Sequence, residues 1–231
     1  CGQETSIRVI NILLTWWILG KGQKARLISI VESHLTRISK TLSYAIGQNN
    51  NHGVSEAAAL FIGGGWLLQH SDIEQNKKLG KHCLETGRYW LENRIDDLVF
   101  NDGGFSQYST NYHRVLLDTL GQVEFWRREL NEHTFSQSFY SKVRGSIKWL
   151  LNIVVIDNGS VPNLGANDGA WLYSLNESNF RDFRPSLQLL SVLIDGAKIF
   201  HDPACNESLV WLGLNNSVPR VPPKLSSIVQ E

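Results

Sequence analysis

The feature that most constrains this chain is an alternation between two kinds of helical segment. Residues 24–46 place Leu27, Val31, Leu35, Ile38, Leu42 and Ala45 three or four positions apart, a single apolar stripe along a helix. Residues 72–94 repeat the pattern with Leu79, Cys83, Leu84, Gly87, Trp90 and Leu91, and residues 135–151 do so with Phe139, Val143, Ile147 and Leu150. Between them lie segments that are apolar nearly all round, 7–19, 54–68 and 187–200. Residues 110–128 stand in the same alternation, less cleanly because of Arg114, Asp118 and Glu124. A helix that is apolar on every side is buried on most sides. The order therefore reads as helical hairpins, each with an inner and an outer member. A plain up-down bundle would make every helix amphipathic. The expected fold is all-α, an incomplete α/α toroid of antiparallel helical hairpins with alternating inner and outer helices. The best strand candidate, 153–156, reads equally well as a helix end.

Composition narrows the function classes. The 231 residues carry 22 Lys+Arg against 22 Asp+Glu, so the formal charge is zero. That argues against a strongly basic nucleic-acid binder and against an acidic solvating protein. With 42% hydrophobic and 19% charged residues the chain reads as globular. Cys1, Cys83 and Cys205 are odd in number and far apart, which is no disulfide framework. The most apolar stretch, 7–19, contains Arg8 and Asn11 and is too short to span a bilayer. The chain has no methionine and ends in a polar run. It reads as a piece of a longer or processed protein, with a toroid over 1–217 and a polar linker over 218–231.

The connections carry the chemistry. Three are long, 47–53, 95–109 and 157–169, and each precedes a buried helix. If successive helices run antiparallel, all three meet at one rim, where sites usually lie. The first holds Asn49, Asn50, Asn51 and His52 at a helix start, followed by Glu56 one turn on. One Asn is an ordinary N-cap. Three with an imidazole form a cluster of neutral donors at the positive end of a helix, suited to a carboxylate ligand. The second runs through Asp102-Gly103-Gly104, a tight turn, to Gln107, Tyr108, Tyr112, His113 and Arg114. Tyr112 is either an interior aromatic or a phenol that Arg114 or His113 would favour as phenolate. The third holds Asn167 and Asp168, then Trp171 and Tyr173, either core aromatics or a sugar-stacking platform. Asp168 also reads as an ordinary turn residue. No P-loop, dinucleotide-binding glycine motif, HExxH, CxxC or GxSxG is present.

Three blocks in order carry a resemblance: Asn50-Asn51-His52-Gly53 with Glu56-Ala57-Ala58, the run from Asp102 to Arg114, and Pro162 to Ala170. Together they resemble the heparinase II/III-like polysaccharide lyases, a group that includes heparin-sulfate and some alginate lyases. Residues 6–11 also resemble a helix entering that family's toroid. The resemblance implies an incomplete toroid followed by a C-terminal β-sandwich domain. It implies β-elimination on an acidic, uronate-containing polysaccharide, without nucleic acid or a membrane span. Carried over by motif, Asn51 neutralises the uronate carboxylate, His52 is its neighbour and a possible base, and Tyr112 is the acid/base. Glu56, Gln107, Tyr108, His113, Arg114, Asn167, Asp168 and Trp171 are candidates for substrate binding. No cofactor or metal is expected in this chain; a metal would belong to the C-terminal domain. A periplasmic or secreted location follows if the glycan is external. Two other classes remain: a toroid glycoside hydrolase using Glu56, Asp102 and Asp168 as its carboxylates, or a non-catalytic glycan-binding module.

Overall fold

The computed structural model describes residues 1–173 and 175–214, so the expected linker at 218–231 lies outside the described residues. Among those described the protein is all-α. Its helices are α1 (Gly2–Ile18), α2 (Ala25–Gly47), α3 (Asn51–His70), α4 (Glu74–Leu98), α5 (Thr110–Glu129), α6 (Gln137–Leu151), α7 (Arg184–Asp195) and the short α8 (Glu207–Trp211), preceded by a 3-10 turn, Pro203–Asn206. The six apolar positions read from α2 are its buried residues. Those read from α6 are buried too, with Ser146.

α3, α5 and α7 are the most completely buried helices. Every residue of α3 from Gly53 to Leu67 is buried, and so is every residue of α5 from His113 to Trp126. α3 packs against α1, α2, α4 and α5, and α5 continues to α7. α2 and α6 bury one face each. α1 is more one-sided than expected: Val9, Ile10, Leu13 and Leu14 are buried, while Leu19 just past its end is exposed.

A run of three glycines explains the central place of α3. Successive helical residues point about 100° apart. Gly63, Gly64 and Gly65 therefore face three neighbours. A methyl built on Gly63 would lie 2.9 Å from the Leu35 side chain of α2. One on Gly64 would lie 2.5 Å from the Leu84 backbone nitrogen and 2.7 Å from the Gly80 carbonyl, both in α4. One on Gly65 would lie 2.7 Å from the Leu130 side chain, just past α5. Gly80 and Gly87 of α4 complete the close seam: a methyl there would lie 2.8 Å from the Gly64 carbonyl and 2.7 Å from the Ala57 carbonyl, respectively. Glycine costs a helix up to about 1 kcal/mol each relative to alanine. Dense backbone-to-backbone packing offsets that cost here.

The boundaries of two helices differ from the sequence expectation. α1 begins at Gly2 rather than at residue 7, and α7 covers Arg184–Asp195 rather than 187–200. Gly196 adopts a left-handed φ of 66° and ends α7, its N–H bonded to the Val192 carbonyl. The segment beyond it, Ile199 and Phe200, is buried but not helical. Residues 153–156 form a turn, not a strand; Val155 N–H donates to the Ser160 carbonyl at 2.8 Å. All three cysteines are free, and Cys83 and Cys205 are buried.

Candidate functional site

The N-terminal ends of α3 and α5 are joined, and the long connection between α6 and α7 is sewn onto both neighbours of the α5 start. The three asparagines before α3 do three different jobs. Asn49, at a left-handed φ of 50°, accepts a hydrogen bond from Arg94 Nη1 at 2.8 Å. Asn50 is the N-cap and accepts the His52 N–H at 2.9 Å. Asn51 donates its backbone N–H to Gln107 Oε1 at 2.9 Å, which ties the first connection to the second. The Asn51 side-chain amide and the His52 imidazole take no hydrogen-bond partner among the described residues. Burial lowers the His52 pKa, so its ring is neutral at neutral pH.

At the start of α5, Ser109 caps the helix by accepting the Tyr112 N–H at 3.1 Å, and its hydroxyl donates to the Ala166 carbonyl. Thr110 donates through its hydroxyl to the Pro162 carbonyl at 2.9 Å and through its N–H to the Leu164 carbonyl at 3.1 Å. Tyr112 then donates its phenol to Asp168 Oδ2 at 2.7 Å. That hydrogen bond, with desolvation, pushes the Tyr112 pKa up to about 12. Asp168 moves the opposite way, lowered by the same bond. The phenolate suggested by neighbouring Arg114 or His113 is therefore corrected: Tyr112 is held as a neutral phenol by a carboxylate. Beside this start lies a cavity of about 380 Å³, with Thr110, Asn163, Asn167, Phe180, Arg181 and Phe183 in its wall. Arg181 is exposed and makes no ion pair among the described residues.

Several expected substrate contacts face inward instead. Arg114 is buried; it donates to the Phe180 carbonyl and to Asn111 Oδ1, and the Trp171, Phe180 and Phe183 rings surround its guanidinium at 5.1, 4.4 and 4.4 Å. It anchors the long connection rather than a ligand. The same contact occupies one face of Trp171, and Tyr173 is buried beside Asp118, so the pair forms no open stacking platform. His113 is buried, stacked on Trp149 at 4.6 Å, with Nε2 against the Ser146 carbonyl at 2.9 Å. Burial pushes its pKa down to about 4. Asn167 is exposed and donates to Asn163 Oδ1 at 2.8 Å, and Asp168 also accepts the Ala170 N–H. Tyr108 is exposed, and Gln107 is used as the tie described above.

Glu56 does not face the rim. It is 3% exposed, and a methyl on Gly2 of α1 would lie 2.6 Å from its carboxyl carbon. Burial pushes its pKa up to about 7 from 4.5. Between pH 4.5 and 7 the folded state keeps a proton that the unfolded chain has lost, so this group makes stability fall as pH rises. Glu56→Gln removes that dependence. The melting temperature of the variant minus that of the wild type is expected to increase from pH 4.5 to 7; a constant difference across that range would contradict the burial of the carboxyl.

Sequence reasoning missed Arg94, which holds Asn49, and Trp149, which stacks on His113. Arg94 falls three residues after Leu91, on the face of α4 that periodicity assigns to packing, and Trp149 lies off the apolar stripe of α6. Among the described residues no three His, Cys, Asp or Glu side chains stand together as a metal site, and no helix is long and apolar enough to cross a membrane. Comparison with known proteins returned no match to any family model, curated protein or solved structure.

Proposed function

We propose that this chain is the helical portion of a polysaccharide lyase, built on an incomplete α/α toroid, that cleaves a uronate-containing glycan by β-elimination. The observation that carries the reading is the junction of the α3 and α5 starts. It places an unpartnered amide and a neutral imidazole on a helix start tied to the loop leading into the helix that bears a protonated phenol. The inner-and-outer order of the helices supports the toroid.

Each residue type fits a step. The Asn51 amide, at the positive end of α3, binds the uronate carboxylate and stabilises the enediolate as charge moves onto it. The neutral His52 takes the proton from the carbon α to the carboxylate, which its lowered pKa permits at neutral pH. The electron pair left behind forms the carbon–carbon double bond and expels the glycosidic oxygen. Tyr112 gives that oxygen its proton, and Asp168 holds the phenol protonated until then. Arg181 and the Asn163–Asn167 pair offer positive and polar contacts for the rest of an acidic chain. A hydrolase would need two carboxylates across a cleft; Glu56 is buried against α1 and does not supply one.

The test is ultraviolet absorbance of the conjugated, unsaturated uronate, recorded with alginate, heparan sulfate and chondroitin on the full-length protein. A rise that Asn51→Ala reduces by about 100-fold or more supports the reading, the scale of losing one oxyanion donor. New reducing ends without that absorbance would replace elimination by hydrolysis. Binding without either product would leave a glycan-binding module.

A further inference from the structure

Within the 47–53 connection the side-chain ties are local: Asn50 accepts the His52 N–H at 2.9 Å and donates to Gln48 Oε1 at 3.2 Å. Among the described residues two hydrogen bonds reach it from other elements. Gln107 accepts the Asn51 N–H, and Arg94 of α4 donates to Asn49 Oδ1 at 2.8 Å. The Arg94 bond is the one side-chain hydrogen bond of Asn49 among the described residues. It falls on the residue whose backbone most needs holding. At a φ of 50°, Asn49 lies in the left-handed region, which a residue other than glycine adopts at a cost.

Arg94 is itself fixed. It is 6% exposed. Its Nε and Nη2 both donate to Asn93 Oδ1, at 3.0 and 2.6 Å, and Nη2 also donates to Asp97 Oδ2. The guanidinium lies 5.7 Å from the Trp90 ring centroid. A fork held in this way leaves Nη1 for Asn49. Asp97 meets the charge, so the connection receives an N–H of fixed direction rather than a free cation. The stem of the same side chain reaches the other end of the turn: a methyl built on Gly53 would lie 3.3 Å from Arg94 Cδ. Arg94 therefore meets the residue before the Asn50–Asn51–His52 triplet with its head and the residue after it with its stem.

We infer that Arg94 is the positioning residue of this site: acting through Asn49 and against Gly53, it fixes the turn that aims the Asn51 amide and the His52 imidazole. It touches no reacting atom and carries no proton. The inference deepens the lyase reading and rests on it for what Asn51 and His52 do; the hold on the turn is independent of the reaction. Without that hold, Asn49 returns to the ordinary backbone region, the start of α3 shifts, and water reaches His52.

Two variants of the full-length protein test it. Arg94→Gln removes the fork. Asn49→Ala removes the acceptor at an exposed position, so the fold is expected to survive, checked by the melting temperature. The first readout is the His52 ring, titrated by the NMR signal of its Cε1 proton. Burial holds its pKa below the ordinary 6.5 in the wild type, and both variants are expected to move it up toward that value. Asn49→Ala changes no charge, so a shift in that variant reports geometry. The double variant is expected to match the worse single, because both break the same contact. A clamp that served stability alone would lower the melting temperature and leave the His52 titration of the folded protein where it was. The second readout is turnover of a uronate polymer: kcat is expected to fall by about 10- to 100-fold with KM little changed, the scale of a small misplacement of reacting groups. An unmoved His52 pKa in both variants, or additive effects in the double variant, would overturn the positioning role, whatever the turnover. A moved pKa in a protein that cleaves no uronate polymer overturns the lyase reading and supports the hold of Arg94 on the turn.

Discussion

Under the proposed lyase reading, Tyr112→Phe is expected to lower the rate of β-elimination by about 10²- to 10⁴-fold, the usual worth of one positioned acid or base, and to leave the protein folded. The variant removes a single hydroxyl. In the resting protein that hydroxyl makes one hydrogen bond, to the exposed Asp168. Losing it costs about 1 kcal/mol or less, a few degrees of melting temperature for a chain of this size. Under the proposed mechanism turnover suffers far more, because the hydroxyl removed is the proposed acid. Asp168→Asn separates two roles of the carboxylate. Without its charge the Tyr112 pKa falls toward the ordinary value, so the alkaline limb of the pH–rate profile is expected to move to lower pH. Near-normal turnover of Tyr112→Phe on a cleaved substrate would remove the proposed acid.

Gly64→Ala destabilises the fold by about 3 kcal/mol, the upper part of the usual overpacking range, and Gly63→Ala by less than about 1 kcal/mol. Both add one methyl to the same turn of the same helix, and both gain the roughly 1 kcal/mol of helix propensity that separates alanine from glycine. They differ in what the methyl meets. At Gly64 it meets the α4 backbone at Leu84 and Gly80, which moves only if the whole helix moves. At Gly63 it meets the tip of Leu35, which can change rotamer. Urea unfolding at matched conditions reads the difference directly. Equal effects at the two positions would mean that the seam between α3 and α4 is less tight than described.

Much of this architecture is legible in the sequence because burial imposes periodicity. α2 and α6 each expose one face, so their apolar positions recur at three and four and are recovered residue by residue. α3 has no polar face to expose, and its unbroken apolar, glycine and alanine content reports burial directly. Helix ends are less legible. Ile199 and Phe200 are buried in a non-helical segment after Gly196, so hydrophobicity continued where the helix did not. The site is legible at the level of loops and not of side chains. Asn51 is tied to Gln107 and Tyr112 to Asp168, but His113 and Arg114, one and two residues beyond Tyr112, turn into the interior. A 100° step separates rim from core on a helix. The aromatic partners that draw Arg114 inward, Trp171, Phe180 and Phe183, lie too far along the chain for local pattern to announce them.

The stitches around the α5 start have a consequence for the order in which the molecule assembles. Ser109 and Thr110 are bonded to residues more than fifty positions downstream, and Arg114 to one sixty-six positions away. The α3–α4 hairpin, by contrast, is closed by a short turn at Ser71. Loop-closure entropy favours such local contacts early and delays distant ones. A nascent chain can therefore form its glycine-lined hairpin while the rim is still open. The phenol of Tyr112 meets Asp168 only after α6 and the segment behind it have been made, so this pair forms as one of the last events of folding.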